Sequence, residues 1–200
     1  MEAVQPLAVR IEKDLLGNRE VPMDQYYGIH TLRALDNFKI SKHTVGEQSH
    51  FIRALAQVKK ASAQAANYFA SLGIKKGDRV MLVLKRHYQF WFAMIGLNKL
   101  GAIAIPAPNQ LQEHDFEYRF QSAGIKAIVC TGDGDTAHQV DLAAKTSPSL
   151  EIKIMVNGER DGWRNYDEES ARFSSHYERT EDAPCGDDLM LMFFTSGTSG

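Results

Sequence analysis

Six small residues, Thr195, Ser196, Gly197, Thr198, Ser199 and Gly200, make the strongest case for chemistry in this chain. They follow directly on the apolar run LMLMFF at residues 189–194. Two glycines among them let the backbone fold tightly, so that successive amides can turn toward one anion. The hydroxyls can donate to phosphate oxygens, and no bulky side chain obstructs the approach of a triphosphate. The spacing is not that of a Walker A loop, which requires a glycine, four residues and then Gly-Lys-Ser/Thr. On spacing alone, a polar tail after a strand fits as well as a nucleotide loop.

Other constellations are weaker. Gly132, Asp133, Gly134, Asp135, Thr136 and Ala137 fit the loose dinucleotide pattern G-x-G-x-x-G/A, with Glu159 downstream. The pattern is permissive and begins two strand–helix units too late, so an ordinary strand-to-helix turn is the preferred reading. Asp133 and Asp135 lack the remaining ligands of a calcium loop. The seven histidines show no zinc spacing. Cys130 and Cys185 form neither a metal-ligand spacing nor a disulfide framework, and are expected as free thiols.

A strand and helix succession must hold these residues. Phe51, Leu55, Val58, Ala61, Ala65, Phe69 and Leu72 fall at spacings of 4, 3, 3, 4, 4 and 3, which predicts one helical face. Ser49 is a candidate cap and Gly73 a candidate left-handed stop. Downstream, buried strands are predicted at residues 79–85, 102–106, 127–131 and 152–156. Helices are predicted at 88–100, 113–123 and 136–145, and the run 189–194 as a further buried strand. Residues 1–48 show little periodicity and read as a segment that wraps on a larger body. Residues 157–188 carry ten acidic side chains against four arginines and read as a solvated excursion with at most short structure. The fold class expected is α/β: a partial parallel sheet with helices on both faces, preceded by an irregular arm and one amphipathic helix.

The sequence LMLMFFTSGTSG resembles the signature loop of the acyl-CoA synthetases, in the adenylate-forming, AMP-binding superfamily. Upstream, QAANYFASLGIKKGDRVMLVL (64–84) and LNKLGAIAIPA (97–107) are similar to that family's first helix, turn and strands, in the right order. The resemblance covers about residues 64–200. It implies that a carboxylate attacks the α-phosphate of ATP and pyrophosphate leaves, while residues 195–200 hold the β and γ phosphates by position and charge stabilisation. It also implies Mg2+, with CoA and a carboxylic acid as further partners. In the family the loop runs on to a Pro and a Lys. Adenine- and metal-binding elements and a mobile domain follow it.

The front of the chain points elsewhere. RIEKDLLGNREVPMDQYYGIHTLRALDNFKIS (10–41), continued by FIRALAQVKKASAQA (51–65), resembles the N-terminus of the aspartase and fumarase family. That family implies a homotetramer and metal-free elimination of ammonia from aspartate to give fumarate. By this resemblance Thr31 and Arg33 lie near the substrate, where Arg33 can pair bidentately with a dicarboxylate. Arg33 can equally hold the arm to its own body, and His30 can be a packed residue. The family's catalytic Ser-Ser-x-Met-Pro-x-Lys loop has no counterpart here, since Ser174-Ser175 is followed by His-Tyr-Glu.

Composition bounds the rest. The net charge of −2 gives no electrostatic basis for nucleic-acid binding. No apolar stretch approaches the ~18 residues of a membrane span, and no signal-peptide pattern opens the chain, so a cytoplasmic location is expected. The domains expected are an aspartase-like arm and helix start at 1–65 and an incomplete synthetase-like α/β subdomain at 66–200. The function expected is an adenylate-forming fragment carrying a lyase-derived arm and not competent alone. The alternatives are an aspartate-eliminating lyase and a chimaera with no selected function. Exposed apolar surface predicts oligomers or aggregates.

Overall fold

The computed structural model describes residues 8–40 and 43–195. The chain forms two compact units, Met1–Ile52 and Arg53–Gly200.

The first unit is more regular than its sequence suggested. Strands β1 (Val9–Asp14) and β2 (Gly17–Pro22) pair antiparallel, and helix α1 (Ile29–Asn37) follows. Leu15 and Leu16 make the turn, where Gly17 adopts φ +105°. The alternation in β1 is present but inverted. Val9 and Ile11 are exposed, whereas Arg10, Glu12 and Asp14 face the covered side. A pattern search that places apolar residues inward therefore passes over it. Hydrogen bonds hold this side. The Arg10 guanidinium donates to the carbonyls of Pro22, Gln25 and Tyr27 and to Glu12. Glu12 in turn accepts the Ile29 amide at 2.7 Å, at the start of α1. That amide bond and the neighbouring Arg10 hold the Glu12 carboxyl below its ordinary 4.5. Arg33 does the same for Asp14, whose ordinary value is 3.8.

A carboxylate with a depressed folded pKa contributes stability that is present above the unfolded value and lost as pH falls through the folded one. The first unit should therefore loosen as pH falls below about 4. Amide exchange at Ile29, followed by NMR on acid titration, checks this; unchanged protection of Ile29 down to pH 2 would contradict it.

Helix α2 (Ser49–Ser71) begins at Ser49 itself, so that residue is the first of the helix rather than its cap. The helix ends at Gly73, with φ +81° and the Ile74 amide donating to the Phe69 carbonyl. The second unit continues with β3 (Arg79–Val83), α3 (Gln89–Leu100), β4 (Ile103–Pro106), α4 (Glu113–Ala123) and β5 (Ala127–Thr131). After these come α5 (Thr136–Ala144), β6 (Ile152–Val156), β7 (Arg164–Asn165) and α6 (Tyr166–Ser170). The five strands form a parallel sheet in the order β4-β3-β5-β6-β7.

Two cores follow from alternation along the strands. Val80, Leu82 and Leu84 join Ala65, Phe69, Ala93, Leu97 and Tyr166 on one face; Met81 and Val83 join Phe116, Phe120, Ala137 and Val140 on the other. Thus α2, α3 and α6 cover one face, and α4 and α5 the other. The α/β expectation, with a parallel sheet and helices on both faces, holds. Only the second half of the predicted α2 face is buried, because residues 43–57 are exposed.

The acidic excursion is partly structured. Asp141 of α5 accepts from Lys153 at 2.6 Å, Arg160 at 2.6 Å and Trp163 at 2.9 Å. Tyr166 is buried among Tyr68 and Phe69.

The run at 189–194 departs from the expected buried strand. Among the described residues its only pairing is a parallel bridge between Leu191 and Ala104, with Ala104 N–H donating to Met190 and Met192 N–H to Ala104. The next bond of a parallel ladder would come from the N–H of residue 106, which is proline. The ladder stops there, and Leu189, Met190 and Phe193 are exposed.

Candidate functional site

Although the 189–194 run is not a full strand, it keeps strand-like alternation. Leu191 packs on the core of α2 and α3, while Met192 and Phe194 pack on the core of α4. The Phe194 ring meets Tyr118 edge-on at 6.1 Å and carries the Arg119 guanidinium 5.2 Å above it. Parallel pairing at Ala104 directs the run toward the carboxyl edge of the sheet. Thr195 therefore emerges beside the end of β4, and it is exposed. Ser196, Gly197, Thr198, Ser199 and Gly200 lie outside the described residues.

The same edge carries a second feature. β4 and β5 lie on opposite sides of β3, so the strand order reverses between β3 and β5. In open parallel sheets a crevice forms at the carboxyl ends at such a reversal, and ligands bind there. Here a crevice of about 550 Å3 is lined by Lys85, Arg86, His87, Asn109, Gln110 and Asp133. His87 Nε2 lies 2.9 Å from Thr131 Oγ1 and 3.0 Å from Asp133 Oδ2. Asn157 donates to the other Asp133 oxygen at 3.0 Å. Burial pushes the Asp133 carboxyl up, but the bonds from His87 and Asn157 outweigh it and hold the group below its ordinary value. Lys85 and Asn157 both adopt left-handed backbone, at φ 48° and 57°, a conformation seldom taken by non-glycine residues.

This cluster was not singled out in the sequence as one site. The available signal was positional: His87 follows β3 and Asp133 follows β5, the two strands that flank the reversal. Strand order cannot be read from the linear pattern, so the two residues were not placed together.

The glycine pattern at 132–137 is an ordinary strand-to-helix turn. A Cβ at Gly132 would stand 2.6 Å from the Asn157 carbonyl oxygen, so the glycine serves the close passage of two chain segments. Among the described residues no group of three or more His, Cys, Asp or Glu side chains could hold a metal. Cys130 is buried, and burial raises its thiol to about 12; Cys185 is exposed. Both are free.

In the first unit, Arg33 makes a bidentate pair with Asp14 at 2.8 and 2.9 Å and donates to the Gly17 carbonyl at 3.0 Å. His30 stands 3.8 Å from Asp14, and Thr31 is exposed on α1. Arg33 is thus engaged within its own unit. No helix among the described residues is long and apolar enough to cross a membrane.

Comparison with known proteins gives two kinds of match. The profile of the AMP-binding enzyme family matches residues 53–200, beginning at the residue where the second unit begins. The chain is 37% identical over 143 residues to the mitochondrial acyl-coenzyme A synthetase ACSM5 of Rattus norvegicus, covering 70% of this chain and 24% of that protein. It is 35% identical over 146 residues to human ACSM2A, also mitochondrial, covering 72% and 25%. The chain thus spans about a quarter of the length of these curated relatives. A shorter segment of 57 residues is 56% identical to aspartate ammonia-lyase of Escherichia coli strain K12, covering 28% of this chain and 12% of the lyase. Among solved structures, the anthranilate CoA ligase AuaEII in complex with anthranoyl-AMP superposes with a TM-score of 0.66 at 20% identity, over 72% of this chain and 27% of that one. A Brucella canis acyl-CoA synthetase superposes at 0.61 and 23% identity, over 71% and 26%. At these identities the superpositions speak for the fold.

Proposed function

The chain belongs to the AMP-binding enzyme family through residues 53–200, and from that premise we propose that Thr195, Ser196, Gly197, Thr198, Ser199 and Gly200 bind the β and γ phosphates of ATP. The observation that carries this reading is the parallel bridge of Leu191 to Ala104, which delivers Thr195 to the carboxyl edge of the sheet. In α/β sheets that edge is where ligands are taken up. The chemistry proposed is that of the acyl-CoA synthetases: ATP activates a carboxylic acid by adenylation, and CoA is the acceptor. The hydroxyls and amides of 195–200 would orient the departing pyrophosphate and stabilise its charge. Mg2+ belongs to the same proposal as a companion of the phosphates, since it is usually held by substrate phosphates, one or two carboxylates and retained waters. The described residues offer no carboxylate cluster for it, so no residue is assigned to hold it.

The two resemblances meet within α2, and the division into 1–65 and 66–200 is part of this proposal. For the lyase-like front segment, a substrate role for Thr31 and Arg33 would require the Asp14–Arg33 pair to open.

Direct titration of the chain with ATP tests the phosphate reading. Replacing Ser196 and Thr198 by alanine and valine should weaken ATP binding at least about tenfold, the scale of one lost hydrogen bond to a charged group. AMP, which lacks β and γ phosphates, should bind equally to parent and variant. Equal loss of both nucleotides would place the defect elsewhere.

A further inference from the structure

We infer that Lys76 is a positioning residue for the phosphate-binding segment, acting through Asp188 to set the run at 189–195 on the outer edge of β4. The inference rests on the reading of 195–200 given above, but its geometry is independent of nucleotide. Two backbone bonds, both at Ala104, fix the run to β4, and Pro106 forbids the next one. With so few backbone bonds, an anchor ahead of the run adds to the selection of which residue meets Ala104. Packing also governs it, because shifting a pairing by one residue exchanges the faces. A shift here would turn Met192 and Phe194 out of the α4 core.

The selecting contact lies three residues ahead of the bridge. Lys76 Nζ stands 2.8 Å from Asp188 Oδ2. The Cys185 amide donates to the same carboxylate at 2.7 Å, and the Asp188 amide returns to the Cys185 carbonyl, so the carboxylate is held in a closed turn. Lys76 is itself aimed. Its stem crosses the bare Cα of Gly101, where a Cβ would stand 2.9 Å from Lys76 Cγ, and the adjoining Gly77 amide donates to the Gly101 carbonyl at 2.9 Å. Gly101 immediately precedes the segment leading into β4. The clasp therefore refers the position of residue 188 to the start of the strand that the run must join. With the Asp188 carboxyl held down to about 2 by Lys76 and the Cys185 amide, the contact stays charged throughout the neutral range.

The test uses the whole chain with Lys76→Met, which keeps the stem and removes the charge, Asp188→Asn, and Lys76→Arg. Amide exchange of Ala104 and Met192 should rise about two- to fivefold in Lys76→Met and Asp188→Asn, the range of a half-exposed ion pair. Amides of β3 and β5 should not change. Lys76→Arg, which keeps both the charge and a long stem, should leave both rates near the parent. Unchanged rates in both charge-removing variants would overturn the clasp, as would a uniform rise across the sheet. ATP affinity, measured in parallel, should fall in Lys76→Met and Asp188→Asn and be kept in Lys76→Arg. If the parent itself binds no ATP, the reading of 195–200 fails, while a local rise in exchange still upholds the clasp.

Discussion

Phe69→Ala should lower the unfolding free energy of the Arg53–Gly200 unit by about 3–5 kcal/mol, whereas Leu55→Ala should change it by less than about 1 kcal/mol. The two residues lie on the same predicted face of α2, fourteen positions apart. Their surroundings differ. Phe69 is fully buried, in ring contact with Tyr68 at 5.7 Å and Tyr166 at 6.2 Å, and packs on the core beside Leu82 and Leu97. Leu55 is 46% exposed. Removing the Phe69 ring leaves a cavity walled by a sheet and helices that cannot collapse into it, so lost transfer energy and the cavity cost add. Urea unfolding followed by tryptophan fluorescence measures both variants. Equal effects of the two substitutions would show that the helix is anchored along its whole length.

Gly96→Val should cost about 3 kcal/mol and Gly96→Ala about 1–2 kcal/mol, by overpacking rather than by a cavity. A Cβ at Gly96 would stand 2.8 Å from Ala65 Cβ, 3.0 Å from the Ala66 nitrogen and 3.2 Å from the Ala65 carbonyl carbon. Two of these three neighbours are backbone of α2 and cannot turn aside. The alanine variant recovers up to about 1 kcal/mol of helix propensity, so the smaller loss is its net effect. A lower urea midpoint with an unchanged slope is the expected result. If Gly96→Ala stabilises the protein, α2 and α3 are not in this close contact.

α3 also shows where sequence reasoning stops. Its stretch QFWFAMIGLNKL is apolar on nearly every side, so periodicity cannot choose a buried face. Trp91 is 61% exposed despite its size, while Ala93, Gly96 and Leu97 face α2 and the sheet. The small residues decide, because the backbone of α2 comes too close for larger ones. The strands β3, β5 and β6 were legible for the opposite reason. Each is a short run rich in Val, Ile, Leu or Met that is largely buried on both sides, bounded by turn residues that leave few alternatives. The front hairpin is not legible because the covered side of β1 is polar, with Arg10 and Glu12 where a hairpin usually carries apolar residues.

Thr195–Gly200 is a local arrangement of small residues and hydroxyls that needs no distant partner to be seen, and it follows an apolar run that is visible beside it. The sequence by itself therefore determined the hydroxyl-rich phosphate-binding candidate, the order of strands and helices from α2 to β6, and the two family resemblances. Only the tertiary structure decided how that candidate is presented. Pro106, distant in sequence, ends the ladder that residues 189–194 would otherwise form, and Lys76 grips Asp188 across more than half the chain. Only the structure brought His87, Thr131, Asp133 and Asn157 into one hydrogen-bonded cluster. Those contacts depend on which strands become neighbours, and parallel neighbours are chosen by the packing of helices on the two faces of the sheet, which periodicity along one element does not encode.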